Sequence, residues 1–103
     1  MSFEEMSKSF QKAFGFANSK NYLAAIKLYE EDLEENPKNI AAMNNIAVAK
    51  IHLGINENNS LYLSDAKGLL EKTLEIVREN QDYNYGYPIA EANLEWVKSL
   101  LKI

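Results

Sequence analysis

Residues 39–54 read NIAAMNNIAVAKIHLG, and this stretch decides the fold class. Its apolar side chains recur at intervals of three and four residues at Ile40, Met43, Ile46 and Ala47. That spacing places them on one face of an amphipathic α-helix. Asn39 is a preferred N-cap residue, and Gly54 permits the left-handed backbone that closes many helices. The stretch therefore predicts a helix that begins after Asn39 and stops at Gly54.

The same spacing continues on both sides of this stretch. It predicts five helices, over about residues 3–17, 22–36, 39–54, 62–80 and 88–103. Pro37 ends the second helix, because the residue before a proline is driven out of the helical conformation. The polar run 56–60 predicts a loop, and Pro88 suits the first turn of the last helix after a connection over 82–87. No segment alternates like a half-buried strand, so the predicted fold class is all-α.

Composition limits the classes of function. At 103 residues with 47% hydrophobic residues, residues 1–103 fit a single domain. The net charge of -4 disfavours a nucleic-acid partner, because a phosphate backbone would be repelled on average. The chain has no cysteine, no basic and apolar leader and no run of about 20 apolar residues, so we expect a cytoplasmic protein without a membrane segment.

The sequence contains no residue pattern typical of a catalytic or metal site. His52 is the only histidine, so a site with two histidine ligands is excluded. The spacings of a Ser-His-Asp triad and of a glycine-rich phosphate loop are both missing. We therefore expect no enzyme, no catalytic residue, no metal and no cofactor.

Residues 21–37 carry a family resemblance. Ala25 is a small residue within a helical stripe, Tyr29 is a large one a turn later, and Pro37 terminates the helix. This pattern resembles the second helix of a tetratricopeptide repeat, a helix-turn-helix unit of about 34 residues. Residues 39–54 resemble the first helix of the next repeat, with Gly54 at the position of its turn glycine.

The resemblance implies a right-handed helical-repeat array of about five antiparallel helices. Repeat one would cover about residues 3–37 and repeat two about 39–80, with a capping helix over 88–103. Ala66 matches Ala25 but follows it by 41 residues, about seven more than the family's period. We therefore expect residues 55–61 to be an insertion in the turn of repeat two.

In this family the first helix of each repeat lines a concave groove. The positions that correspond here are Asn44, Val48, Ile51 and His52, with Asn45 beside them. Amide and imidazole groups over an apolar floor suit a peptide whose backbone needs hydrogen-bond partners. The resemblance thus implies a protein-protein interaction module that holds a peptide or partner protein, although a plain solvated helix face would look the same.

The last helix raises an alternative. Its apolar residues cover an arc of about 200°, whereas a capping helix needs only about 100°. We expect Ile89, Trp96 and Leu100 to pack on helix four. Leu94, Val97 and Leu101 would then face the inserted turn or another chain, as a second interface in a homodimer or a docking element.

Overall fold

The chain is an array of consecutive α-helices. The computed structural model describes residues 8–80 and 87–102. Its helices are α1 Lys8–Asn18, α2 Tyr22–Glu35, α3 Ile40–Glu57, α4 Ser60–Glu79 and α5 Tyr87–Leu101. The described residues contain no strand, so the predicted all-α class is confirmed. The start of the first predicted helix at residue 3 and most of the connection over 82–87 lie outside the described residues.

α3 is the central helix. Each helix packs against the next one along the chain, and α3 also contacts α5. One side of α3 places Ile46 and Ala49 in a cluster with α1 and α2, and another side places Ala47 and Ile51 in a cluster with α4 and α5. The start of the helix adds Ile40 to a third cluster with the end of α4. α3 is thus apolar on several sides because it has several neighbours.

Several alanines are fully buried between the helices. Ala25 of α2 and Ala66 of α4 are both fully buried, as are Ala13 of α1 and Ala90 of α5. A methyl side chain lets two helix backbones come together without leaving a void. The small positions that the sequence singled out in α2 and α4 therefore belong to the core.

Two of the links use the same backbone device. After α1, Lys20 is left-handed with φ 65°, and the Asn21 amide donates to the Phe16 carbonyl at 2.7 Å. After α3, Asn58 is left-handed with φ 51°, and the Asn59 amide donates to the Gly54 carbonyl at 2.9 Å. Both are Schellman caps, which satisfy carbonyls that a helix end leaves without partners.

The predicted stop at Gly54 is wrong. α3 continues for three residues beyond it to Glu57, and Asn58 provides the left-handed cap instead. Asn59 then caps α4, with its side-chain oxygen accepting from the Leu61 amide at 3.0 Å. Asparagine adopts the left-handed region more readily than other residues that carry a Cβ, so it can replace glycine here. The predicted cap at Asn39 is confirmed, because its side chain accepts from the Ala42 amide at 3.1 Å.

The predicted loop over 56–60 is wrong as well. Residues 55–57 belong to α3 and residues 60–61 belong to α4, so only Asn58 and Asn59 link the two helices. Asn56 and Glu57 are exposed helical positions, and a polar residue suits an exposed helix as well as a loop. Residues 55–57 and 60–61 therefore form the end of α3 and the start of α4.

Gly54 has a packing role in place of the predicted cap. A Cβ at Gly54 would lie 2.7 Å from Cδ2 of Leu63 in α4, whereas a Cβ at Gly68 would meet nothing within 4 Å. We expect Gly68→Ala to stabilise the fold by about 0.5–1 kcal/mol through helix propensity. Gly54→Ala should be less stable than Gly68→Ala by about 1–3 kcal/mol, because overpacking opposes the same gain. Urea unfolding of the two variants measures the difference, and equal stabilities would contradict the close approach.

The predicted packing of α5 is wrong for Leu94 and Val97, which are buried, and for Ile89, which is exposed. Leu94 is 9% exposed and Val97 fully buried, and both belong to the core cluster shared with α3 and α4, whereas Ile89 is 57% exposed. Trp96, Leu100 and Leu101 pack at the edge of that cluster. A second stripe of α5 turns toward α3, where the Asn93 amide donates to Asn44 Oδ1 at 3.0 Å. The part of the apolar arc that carries Ala90, Leu94 and Val97 therefore packs within the same chain, whereas Ile89 stays exposed.

No helix within the described ranges is long and apolar enough to cross a lipid bilayer.

Candidate functional site

A cleft of about 240 Å³ opens between α1, α2 and α3. The described residues that line it are Ala17, Asn18, Tyr22, Tyr29, Asn45, Val48, Ala49 and His52. Tyr29, 1% exposed, and the buried Ala49 form its floor. Val48, Asn45 and His52 are half-buried along one wall, and Asn18 is exposed at the rim. The cleft thus combines an apolar floor with amide and imidazole groups that can donate and accept hydrogen bonds.

An aromatic row runs from this cleft to α5. The rings of Tyr22 and His52 are stacked, with centroids 4.9 Å apart and planes 8° from parallel. Trp96 of α5 meets His52 edge-on, with centroids 5.6 Å apart and an interplanar angle of 72°. Stacked and edge-to-face contacts are the favoured aromatic geometries. His52 therefore connects α2, α3 and α5, and its ring is held in place from two sides.

The Tyr29 phenol is kept neutral at the floor of the cleft. Its burial, and secondarily the nearby Asp32 carboxylate, raise the pKa of Tyr29 from 10.0 to about 12. Desolvation disfavours the phenolate, and a neighbouring negative charge adds to that effect. The folded protein therefore holds the Tyr29 proton more tightly than the unfolded chain does.

This shift predicts a pH dependence of stability. Because folded Tyr29 binds its proton more tightly than unfolded Tyr29, the folded state holds more protons between pH 10 and pH 12. The free energy of unfolding should be unaffected by this group below pH 10 and should fall as the pH rises through that window. Tyr29→Phe should lack this component. The measurement is the difference in unfolding free energy between the two proteins across the window, and a constant difference would contradict the raised pKa.

The structure brings together three of the five predicted groove residues, Asn45, Val48 and His52. Ile51 was predicted in the groove, but it is 0% exposed and belongs to the core between α3, α4 and α5. Asn44 does not line the cleft either. Its side-chain oxygen accepts a hydrogen bond from Asn93 of α5.

Helix geometry explains this division. Successive residues of an α-helix advance by about 100°, so residues seven apart lie within about 20° of each other. Asn44 and Ile51 therefore share one direction, toward α4 and α5, and Asn45 and His52 share another, about 100° away. One narrow face could not hold all of the predicted residues.

α1 and α2 supply cleft residues that the sequence reasoning missed. Ala17 and Asn18 come from the end of α1, and Tyr22 and Tyr29 come from α2. Tyr22 and Tyr29 stand seven residues apart on the predicted stripe of α2, which marked them as core. Their spacing indicated a shared face, but nothing in the sequence indicated that this face lies beside His52.

A larger cavity of about 430 Å³ lies between α4 and α5 and has a different character. Its walls include Arg78, Glu91, Glu95 and Lys98, two positive and two negative side chains. Lys98 Nζ lies 3.8 Å from Glu95 Oε1 within the same helix. Such exposed pairs are satisfied by one another and by water, so this surface has no net charge to attract a ligand. The smaller cleft is therefore the better candidate site.

Metal binding has no structural basis in residues 8–80 and 87–102, where no group of three or more histidine or carboxylate side chains could hold an ion. Comparison of the chain with protein families, with curated proteins and with solved structures found no match.

Proposed function

We propose that this protein is a protein-protein interaction module that binds a segment of a partner protein in the cleft between α1, α2 and α3. The observation that carries the proposal is the lining of the cleft, where half-buried Asn45 and His52 stand over the buried Tyr29. A bound segment would cover the apolar floor while the amide and imidazole groups replace water around its backbone.

Features of the fold support a short helical-repeat array as the scaffold. The α1–α2 and α3–α4 hairpins close with the same cap, at Lys20 and Asn58. Ala25 and Ala66, separated by 41 residues, are both fully buried in the core. Of the seven additional residues, 55–57 lie in α3, 60–61 lie in α4, and Asn58 and Asn59 form the link between them.

Binding is favoured over catalysis by the surroundings of His52. Its ring stacks on Tyr22 and meets Trp96 edge-on. A general base needs a reacting group within hydrogen-bond reach, and a nucleophile needs a partner that takes its proton. No serine or carboxylate is among the described residues that line the cleft. His52 thus has the environment of a binding-surface residue.

The alternative function is self-association or docking through α5, which requires Leu94, Val97 and Leu101 to face outward. Leu94 and Val97 are buried against α4 and α3 of the same chain. A residue in the intramolecular core is not available to a second copy. We therefore retain peptide or protein binding as the proposal. A cytoplasmic location belongs to the same proposal, since the absence of cysteine suits a reducing compartment.

Two matched variants test the proposal. Val48→Arg places a long charged side chain at the cleft, and Ser64→Arg adds the same charge at an exposed position of α4 that does not line it. We expect affinity capture from the native cells to recover a partner with wild type and with Ser64→Arg, and to lose it with Val48→Arg. Asn45→Arg repeats the test at a second cleft position, and melting curves confirm that each variant is folded. Equal capture by folded Val48→Arg and Ser64→Arg would reject the cleft as the binding site.

A further inference from the structure

We propose that the cleft accepts one uncharged aromatic side chain with a polar tip, a tyrosine or a tryptophan, from the partner segment. This inference rests on the proposed function and specifies the chemistry of its ligand. It follows from the charge, the size and the polar groups of the cleft, considered in turn.

Charge excludes the ionic side chains. None of the described lining residues carries a formal charge while His52 is neutral. Lys50 Nζ on α3 lies 3.6 Å from Asp65 Oδ2 on α4, and neither residue lines the cleft. A carboxylate placed on the floor would lose its hydration and would meet the nearby Asp32 charge, which is strongly unfavourable. An ammonium or guanidinium group would also lose hydration, and the carboxylate near the floor, Asp32, is buried and does not line the cleft.

Size selects one large side chain. The volume of about 240 Å³ lies below the range of about 300–1,000 Å³ typical of small-molecule sites. Ala17, Val48 and Ala49 provide apolar surface, and the rings of Tyr22 and His52 border the same space. An aromatic ring can contact these rings in an offset or edge-on geometry, which adds to the area that it buries. A single flat side chain therefore suits the cleft better than a branched aliphatic one.

The polar groups distinguish tyrosine and tryptophan from phenylalanine. The side-chain amides of Asn18 and Asn45 border the cleft, and each can donate and accept a hydrogen bond. Covering these amides with a purely apolar ring would remove water from them without supplying a partner. A tyrosine hydroxyl or an indole N–H supplies that partner while its ring occupies the floor.

A peptide panel tests the inference on the full chain. The peptides share one capped sequence, Ac-Ala-Ala-Xaa-Ala-Ala-NH2, with Tyr, Trp, Phe, Leu, Arg or Glu at the central position. Amide and side-chain NMR signals of isotope-labelled protein give the dissociation constants and the site. We expect the Tyr and Trp peptides to bind at least tenfold more tightly than the Arg and Glu peptides, with shifts at Asn18, Asn45 and His52. Asn45→Ala should reduce the binding of the Tyr peptide to the level of the Phe peptide, and Ser64→Ala serves as its control.

The outcomes separate this inference from the proposed function. If Arg or Glu peptides bind as tightly as Tyr, if the shifts lie elsewhere, or if no peptide binds, the aromatic specificity is wrong. Loss of the captured partner in Val48→Arg would still uphold the proposed function in each of those cases. If Val48→Arg keeps its partner and the peptides shift other residues, both proposals are overturned.

Discussion

Ile51→Ala is expected to lower the free energy of unfolding by about 2–5 kcal/mol, the usual cost of truncating a buried isoleucine to alanine. Ile51 has no exposed surface and packs among Leu63, Leu70 and Leu94 of the cluster shared by α3, α4 and α5. Truncation removes apolar contacts and leaves a cavity that the rigid helix backbones cannot close. Urea denaturation followed by far-UV circular dichroism measures the loss.

Asn45→Ala is the matched comparison on the same helix. Asn45 is half-buried at the cleft, so its truncation removes little packing and should change stability by less than about 1 kcal/mol. Asn45→Ala should weaken partner binding more than Ile51→Ala does. The comparison requires conditions under which the Ile51 variant remains folded. An Ile51→Ala variant with wild-type stability and impaired binding would show that Ile51 lines the groove, which would contradict the structure.

Leu94→Ala should have an effect of similar size, about 2–5 kcal/mol, because Leu94 fills the core between α5 and its neighbours. Ile89 is the control within the same helix. It is 57% exposed, and Ile89→Ala should change stability by no more than about 0.5 kcal/mol. The same unfolding assay applies, together with light scattering to follow the mass in solution.

These two variants also distinguish core from interface. Truncating an intermolecular contact weakens association, whereas truncating the core lowers the stability of the single chain. A Leu94→Ala protein as stable as wild type but converted from dimer to monomer would identify α5 as an interface. A larger loss of stability from Ile89→Ala than from Leu94→Ala would contradict the orientation of α5 in the structure.

The sequence predicted the helices well because local rules control them. Apolar spacing placed each helix, and Asn39 and Pro37 marked the boundary between α2 and α3 through their own backbone chemistry. The same rules misplaced the end of α3. Gly54 and the polar run after it match the local pattern of a cap and a loop. The space that Gly54 leaves for Leu63 depends on another helix and is not encoded locally.

For α3, the sequence identified the helix that supplies much of the candidate site but not which of its faces does so. Asn45, Val48 and His52 reach the cleft, whereas Asn44 and Ile51 turn toward α4 and α5. An apolar or amide residue suits either direction, so residue type could not decide. The neighbouring helices decided it, because Asn93 of α5 contacts Asn44 whereas Tyr22 of α2 stacks on His52.

By itself, the sequence determined the all-α class and the approximate order and lengths of the helices, because helix propensity, capping and periodicity act over a few residues. Only the tertiary structure decided the orientation of α5, the packing role of Gly54 and the gathering of Tyr22, Tyr29, Asn45 and His52 around one cleft. Those features depend on contacts between residues distant in the chain. A helix with apolar residues over a wide arc is compatible with several such arrangements, and the packing of its neighbours selects one.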